Sequence, residues 1–266
     1  MRNKLIVIAL FCLCVNALPG WAVDIQALFI KAQGFENEQR WSEAFSTYSE
    51  ILKFEPNNAL AHYRLGAISE KLGAIDNAVR SYQEALRLDP NQSEARQALE
   101  GYYINQGVML RRNNQLDEAI LMFQQAIRRD PASANAYFEL GQALEQQGQA
   151  NEAATAYQEA VKIDPDKSVA HARLAALYTK QGQNERAVQE YREVLRLNPQ
   201  DPVAYHGLGI AYNALGQRDQ AITSLQQAVR FYLIAGQRDK AQPAYDLQKK
   251  LMAEKAAPPL PPTRKQ

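Results

Sequence analysis

The most constraining feature of this chain is a proline that recurs at nearly fixed intervals. Proline closes five successive helical blocks, and the intervals between these prolines are 34, 41, 34 and 34 residues. The prolines are Pro56, Pro90, Pro131, Pro165 and Pro199. Self-similarity at a fixed period predicts an array of repeated supersecondary units rather than one globular core.

Alignment on these prolines gives six copies of a 34-residue unit. The copies are residues 25–58, 59–92, 100–133, 134–167, 168–201 and 202–235. Position 20 is alanine in every copy, position 8 is glycine or alanine, and position 24 is bulky and usually aromatic. The residues at position 24 are Tyr48, Tyr82, Phe123, Tyr157, Tyr191 and Leu225. Such agreement across six copies makes chance an unreasonable explanation.

Each special position has a physical reason, which the fourth copy illustrates. Apolar residues at positions 4, 7, 8 and 11 form one stripe on a first helix. Gly148 then marks a turn, where a positive φ is cheap only for glycine. Gly141 and Ala153 are small because the two helices must approach closely, and Tyr157 fills the space beside them. Pro165 disfavours helical backbone at the residue before it and so ends the second helix.

This pattern resembles the tetratricopeptide repeat, a 34-residue pair of antiparallel helices, over residues 25–251. The resemblance implies an all-α fold, an α-solenoid in which helix-turn-helix units stack into a right-handed superhelix. A single copy buries too little apolar surface to offset the ordering of its backbone. Neighbouring copies must therefore share their stability.

Two departures interrupt the pattern. Residues 93–99 are inserted before the third copy, and we expect this stretch of seven residues, about two helical turns, to lengthen that first helix. In the sixth copy Leu233 replaces the proline, so its second helix should continue and serve two units.

The end of the array carries a partial repeat. Gly236, Ala241 and Tyr245 have repeat-like spacing, and a polar-faced capping helix should follow to Leu251. Residues 255–266 are rich in proline and predict a flexible tail.

The first residues have the organisation of an export signal. A short basic start, MRNK, precedes an apolar run of eleven residues, Leu5–Val15. As a helix this run spans roughly 16 Å, about half of a membrane's hydrocarbon thickness. Small residues at Gly20 and Ala22 suit cleavage after Ala22. We therefore expect a signal peptide at residues 1–22 and a periplasmic protein; the alternative is an uncleaved anchor facing the periplasm.

Composition excludes several functional classes. Both cysteines, Cys12 and Cys14, lie in the signal segment, so the remaining chain offers no disulfide or thiolate. Loss of Arg2 and Lys4 leaves 28 basic and 29 acidic residues, a net charge of −1. Such a balance argues against a nucleic-acid partner.

The inventory of reactive side chains argues against an enzyme. The three histidines, His62, His171 and His206, include no pair spaced for a helical zinc site. No catalytic triad pattern, phosphate-binding loop or dinucleotide fingerprint is present. We therefore expect no catalysis, metal, cofactor or small-molecule substrate.

The family resemblance implies a peptide-binding groove on the concave surface, at first-helix positions 2, 5, 6, 9, 12 and 13. The candidate groove residues are Phe29, Tyr63, Arg64, Ile104, Asn105, Val108, Phe138, Glu139, Arg173, His206, Ile210 and Asn213. This set is apolar and aromatic with sparse, mixed charge. In related proteins that bind the C-terminal tails of chaperones, a lysine stands at the position of Phe29 and Ile104. Its absence argues against a role as a chaperone co-factor of that type.

These features predict a protein-interaction scaffold or adaptor whose clients belong to a cell-envelope complex. The alternative is a membrane-tethered assembly factor for a photosynthetic or respiratory complex. Self-association through exposed repeat faces stays open, so a homo-oligomer is also a candidate.

Overall fold

The computed structural model describes residues 23–256, and within this range every regular element is an α-helix. The helices are α1 Ile25–Asn37, α2 Trp41–Phe54, α3 Ala59–Lys71, α4 Ile75–Leu88, α5 Ser93–Arg112, α6 Leu116–Arg129, α7 Ala134–Gln146, α8 Ala150–Ile163, α9 Ser168–Lys180, α10 Asn184–Leu197, α11 Pro202–Ala214, α12 Arg218–Ile234 and α13 Arg238–Ala256. The prediction of an all-α array of helical hairpins is confirmed.

The predicted signal peptide, residues 1–22, lies outside the described residues, as does the tail from residue 257. Lys255 and Ala256 were predicted to begin the tail but are the last residues of α13. The Lys255 ammonium pairs with the Asp219 carboxylate, which fixes the end of α13 against α12. Within residues 23–256 no helix combines the length and apolar character needed to cross a membrane.

The helices form two compact units. Unit 1 contains α1–α4, each packed on the next, around a core that includes Tyr48 and Ile51. Unit 2 begins at Arg96, in the first turn of α5, and extends through α13. Its core includes Tyr157 and Tyr178, and from α6 onward each helix packs on its successor.

Close approach within each hairpin explains the small residues at position 8. A Cβ built on Gly141 would lie 2.6 Å from Cε1 of Tyr157, inside van der Waals contact. Gly66, Gly107 and Gly209 have the same relation to the side chain at position 24 of their own copy. The alanines at position 20 are at most 2% exposed in all six copies. Packing of this density tolerates no added methyl group without displacement.

Turns and prolines set the length of the helices. Position 15 has a positive φ in all six copies, for example 86° at Gly148 and 72° at Gly182. In two copies the residue there is Gln39 or Asn114, with φ of 57° and 62°. Helices α2, α4, α6, α8 and α10 each end two residues before the repeat proline. These local rules account for nearly every boundary in the fold.

The insertion at residues 93–99 lengthens the third first helix as predicted. Helix α5 has 20 residues, whereas the other first helices have 13. The side chains of Ala95 and Leu99 in the added segment are fully buried. The added turns are therefore part of the packed structure.

At the end of the array, α12 packs against both α11 and α13. Ala241 is buried, as alanine is at position 20 of the complete copies, whereas the Tyr245 side chain is 48% exposed. Val229 stands where complete copies have glycine or alanine at position 8.

Candidate functional site

The predicted site residues all lie on the first helices of the hairpins, and we call these faces the first-helix surface of each unit. In unit 1 this surface belongs to α1 and α3 and carries Phe29, Tyr63 and Arg64. In unit 2 it belongs to α5, α7, α9 and α11. The residues there are Ile104, Asn105, Val108, Phe138, Glu139, Arg173, His206, Ile210 and Asn213.

The aromatic residues at position 5 pack on the core rather than standing free. Phe29 meets Tyr48 edge-on with ring centroids 5.8 Å apart, and Phe138 meets Tyr157 at 5.7 Å. Tyr63 packs on Tyr82 with ring centroids 6.0 Å apart, and this pair, like Phe138 and Tyr157, is tilted rather than edge-on. Each of the three is half-buried. These rings therefore stabilise their hairpins, whatever they contribute to binding.

Two of the charged site residues are held by carboxylate–guanidinium pairs between adjacent hairpins. Arg64 lies 3.5 Å from Glu36 in unit 1, and Glu139 lies 2.9 Å from Arg111 in unit 2. In both cases position 12 of one copy meets position 6 of the next. Because each charge has an internal partner, a ligand must compete with that partner to engage Arg64 or Glu139.

Tyrosine hydroxyls hold the glutamates at position 12. Tyr82 donates to Glu70 at 2.9 Å and Tyr157 donates to Glu145 at 3.0 Å, while Tyr48 donates to Glu36. Burial, together with the adjacent carboxylate, raises the pKa of all three phenols. The phenols therefore stay protonated and serve as permanent donors.

The surface between α9 and α11 is different, because it contains no ion pair. Thr179 occupies position 12 where three other copies have glutamate, and Gly207 occupies position 6 of the next copy. A Cβ on Gly207 would lie 2.2 Å from Cζ of Tyr191, so this ring fills the space directly beneath the glycine. Helices α9 and α11 also contact each other directly. The Tyr191 ring therefore lies beside Gly207, where the corresponding positions of other copies hold an ion pair.

Large apolar side chains are exposed on these two helices. Val169 and Val203, both at position 2, are each 56% exposed, and Ile210 at position 9 is 38% exposed. Ala172 and Ala176 on α9 carry small, half-buried side chains. Exposed apolar side chains of this size can be covered by a binding partner.

The other predicted residues of unit 2 vary in accessibility. Ile104 and Val108 are half-buried on α5, Asn105 is exposed, and Asn213 is half-buried in the last turn of α11. His206 packs edge-on against Tyr232, with ring centroids 6.3 Å apart, and burial lowers its pKa.

Arg173 is the exposed charge of this surface. Within residues 23–256 its guanidinium forms no direct hydrogen bond or ion pair, but its positive charge lies near the Tyr157 hydroxyl, which donates to Glu145, and opposes the rise in the pKa of that phenol. The other two predicted charged residues, Arg64 and Glu139, both form ion pairs.

The other two histidines, which are both at position 4, form hydrogen bonds within the fold. His62 and His171 each place Nε2 about 3 Å from the carbonyl of the preceding repeat proline, Pro56 or Pro165. In addition, Nδ1 of His171 lies 2.6 Å from Glu190. Within the described range no group of three or more His, Cys, Asp or Glu side chains is arranged to hold a metal ion.

Sequence reasoning named position 2 as a groove position but did not select Val169 and Val203. The sequence could have indicated them, because both are large apolar residues in the first turn of their helices. It also missed the pairing between positions 12 and 6, although the separation of 28 residues recurs in both units.

Comparisons with known proteins agree with the fold. The family model of the cilia and flagella-associated protein 70 C-terminal domain, a tetratricopeptide-repeat domain, matches residues 22–238. No curated protein matches the chain in sequence.

Solved structures give the same result. YrrB, described as a TPR protein with an unusual peptide-binding site, shares 19% identity with a TM-score of 0.53, and the match covers 75% of this chain and 97% of YrrB. Yeast Tom70 shares 18% identity with a TM-score of 0.52, over 87% of this chain and 47% of its own. MamA shares 25% identity with a TM-score of 0.49, over 65% of this chain and 96% of MamA. The first two likenesses show a common fold.

Proposed function

Because the chain belongs to the tetratricopeptide-repeat family represented by that domain, we propose that it is a protein-binding scaffold whose clients dock on the first-helix surface of unit 2. The observation that carries the proposal is the exposure of Val169, Val203 and Ile210 on two helices that contact each other. A protein that leaves large apolar side chains together in solvent gains most when a partner covers them.

The chemistry of the surface favours binding rather than catalysis. His62, His171 and His206 are all occupied by packing or hydrogen bonds. Neighbouring glutamates are held by tyrosines, arginines or lysines, as at Glu36 and Glu145. YrrB is described as having a peptide-binding site, and binding of a peptide segment is the parallel role for this chain.

The scaffold works outside the cytoplasm, on proteins of a cell-envelope complex. This location rests on the basic start and apolar run of residues 1–22. The alternative is that the same run persists as an anchor and makes the protein a membrane-tethered assembly factor for a photosynthetic or respiratory complex. N-terminal sequencing of the exported protein separates the two: a start at Val23 excludes the tether, and an intact Met1 start excludes the free form.

Site-specific photo-crosslinking in the native host tests client binding. A photoreactive amino acid replaces Val203 in one variant and Gln189, an exposed residue of the second helix α10, in a matched control. We expect discrete crosslinked adducts from position 203 that are missing at position 189. Adding Ile210→Glu should remove them. Adducts of equal yield at both positions, or none at position 203, would contradict the assignment.

A further inference from the structure

Basic residues are concentrated at the C-terminal end of the chain, from the start of α12 onward. Residues 218–266 contain nine basic and four acidic residues, a net charge of +5. Residues 23–217 contain 19 basic and 25 acidic residues, a net charge of −6. The nearly neutral total is therefore the sum of two opposite charges, and the C-terminal end favours an anionic partner.

The acidic residues of this end do not neutralise it. Asp219 pairs with Lys255, and Glu254 lies 3.4 Å from Arg218, so these four residues balance one another within the hairpin of α12 and α13. Five other basic side chains of the hairpin are exposed, and no ion pair within the described residues engages them. They are Arg230, Arg238, Lys240, Lys249 and Lys250.

Large apolar side chains are exposed at the tip of the same hairpin. Leu233 and Ile234 lie in the last turn of α12, and the side chain of Ile234 is 69% exposed. Only the turn of residues 235–237 separates them from Arg238, the first residue of α13. Arg230 lies on the same side of α12 as Leu233 and Ile234, because residues three and four apart are neighbours on a helix. The tip therefore combines aliphatic side chains with free positive charges.

Helix α13 continues this combination along its length. Tyr245, Lys249 and Met252 follow one side of the helix, at spacings of four and three residues, and all three are exposed. Met252 also lines a shallow depression with Ile222 and Thr223 of α12, so the apolar surface extends across both helices. Within the described range no further helix follows α13 to cover this side.

We propose that the tip of the α12–α13 hairpin and the side of α13 that carries Tyr245 and Met252, together the C-terminal surface, dock on an anionic membrane surface. Aliphatic and aromatic side chains enter the boundary between headgroups and acyl chains, while arginine and lysine keep their charges at the lipid phosphates. Clustered basic residues add electrostatic attraction to anionic lipids. This contact lies apart from the first-helix surface, goes beyond the proposed function and does not depend on it.

The charges favour a lipid surface over the other possible occupants. The chain's own tail, residues 257–266, contains two basic residues and no acidic one, so docking it here would bring like charges together. Carboxylates that a second copy could offer are often engaged already, as Glu38 and Glu43 are by Arg40. An anionic lipid surface presents many phosphates that have no such internal partner.

A fluorophore that responds to the polarity of its surroundings tests the inference on the full chain. Cys12 and Cys14 are replaced by serine, and a single cysteine for labelling is introduced by Ile234→Cys or, as the control, by Leu121→Cys at an exposed apolar position of α6. The vesicles contain phosphatidylcholine alone or with one quarter phosphatidylglycerol. Because the fluorophore reports only its own environment, residues 1–22 can remain in place.

We expect a blue shift at position 234 with the anionic vesicles, but none with phosphatidylcholine alone and none at position 121. Arg238→Gln combined with Lys249→Gln should weaken vesicle binding about 25-fold, roughly fivefold for each charge removed. Arg128→Gln, at an exposed position of α6, should leave it unchanged. Added salt should weaken binding as well. Circular dichroism confirms that each variant remains helical.

Equal blue shifts with both kinds of vesicle, equal shifts at positions 234 and 121, or no shift at position 234 would overturn the inference. Vesicle binding that survives the loss of both charges would do the same. If light scattering without vesicles shows a dimer that Ile234→Glu dissociates, the occupant is a second copy, and the inference is likewise overturned. Photo-crosslinking at position 203 tests the proposed function separately from all of these outcomes.

Discussion

The ring of Tyr191 lies directly beneath Gly207, close enough that a Cβ on this glycine would come within 2.2 Å of the ring's Cζ. The two residues belong to consecutive hairpins, so the contact joins one repeat to the next. Glycine is needed here for space and not for backbone freedom, because Gly207 lies inside the regular helix α11.

Gly207→Ala should therefore destabilise the protein even though alanine is the better helix former. Overpacking costs about 1–3 kcal/mol, against a gain of roughly 1 kcal/mol in helix propensity. Gly101→Ala is the control, because a Cβ at Gly101 in α5 meets no atom within 4 Å. Urea unfolding followed by circular dichroism should show a lower midpoint for Gly207→Ala and an equal or higher one for Gly101→Ala. Equal shifts for both would contradict the packing argument.

Gln39→Gly should stabilise the first hairpin. Gln39 has a φ of 57°, in the left-handed region that non-glycine residues adopt only at a cost. Relief of that cost outweighs the greater freedom of glycine in the unfolded chain, for a net gain of about 0.5–1 kcal/mol. Gly148→Ala, at φ 86°, makes the reverse change and should lower the thermal midpoint. A lower midpoint for Gln39→Gly would show that the left-handed conformation carries no strain there.

Phe138→Ala should lower stability as well as any client binding. Phe138 packs on Tyr157 and is covered by Lys167, whose Nζ lies 5.5 Å from the ring centroid. Loss of this half-buried ring should cost about 2–3 kcal/mol, whereas Val203→Ala should stay within about 0.5 kcal/mol of wild type. Thermal unfolding of both variants checks this. If both variants unfold at the same temperature as the wild type, Phe138 contributes nothing to stability and its role is in binding alone.

The stability contributed by His171 should depend on pH. Both ring nitrogens face acceptors, the Glu190 carboxylate and the Pro165 carbonyl, and both bonds can form only when the ring is protonated. The hydrogen bond to Glu190 raises the pKa of His171, and the Glu193 charge adds to the effect. A raised pKa in the folded state stabilises the protein below the unfolded value and loses that effect as the pH rises through the folded value.

His171→Gln should therefore destabilise the protein most at about pH 5–6. The difference in unfolding midpoint between this variant and the wild type, which we call the gap, should shrink at higher pH. His62→Gln is the matched control, because His62 contacts Pro56 without a carboxylate on Nδ1. Unfolding midpoints measured across this pH range check the difference between the two positions. A constant gap for His171→Gln would mean that the pKa of His171 is the same in the folded and the unfolded protein.

Most of the fold could be predicted because it follows from rules that act over short distances. The glycine at 148 and the proline at 165 fix the ends of their helices, and the close contact of Gly141 with Tyr157 follows from the hairpin itself. Tyr245 follows the spacing but is 48% exposed, and the residue at position 8 of this partial copy is Val229 instead of glycine or alanine.

The site was less predictable, since it depends on contacts between copies. The repeat pattern placed Arg64 and Glu139 on the first helices but could not show that Glu36 and Arg111 already hold them. The same holds between α9 and α11. Thr179 and Gly207, on different helices, are both short, which leaves room for the Tyr191 ring, and each residue alone looks unremarkable in the sequence.

Helix α12 belongs to two hairpins at once, and this limits how such an array can grow. Complete copies repeat every 34 residues, but the turn glycines Gly216 and Gly236 are only 20 residues apart. An extra copy inserted by gene duplication upstream of α11 would keep its neighbours in phase. One added after α12 would meet a helix whose second face is already occupied by α13, so new copies at this end of the array, in evolution or by engineering, have to be inserted upstream of α11.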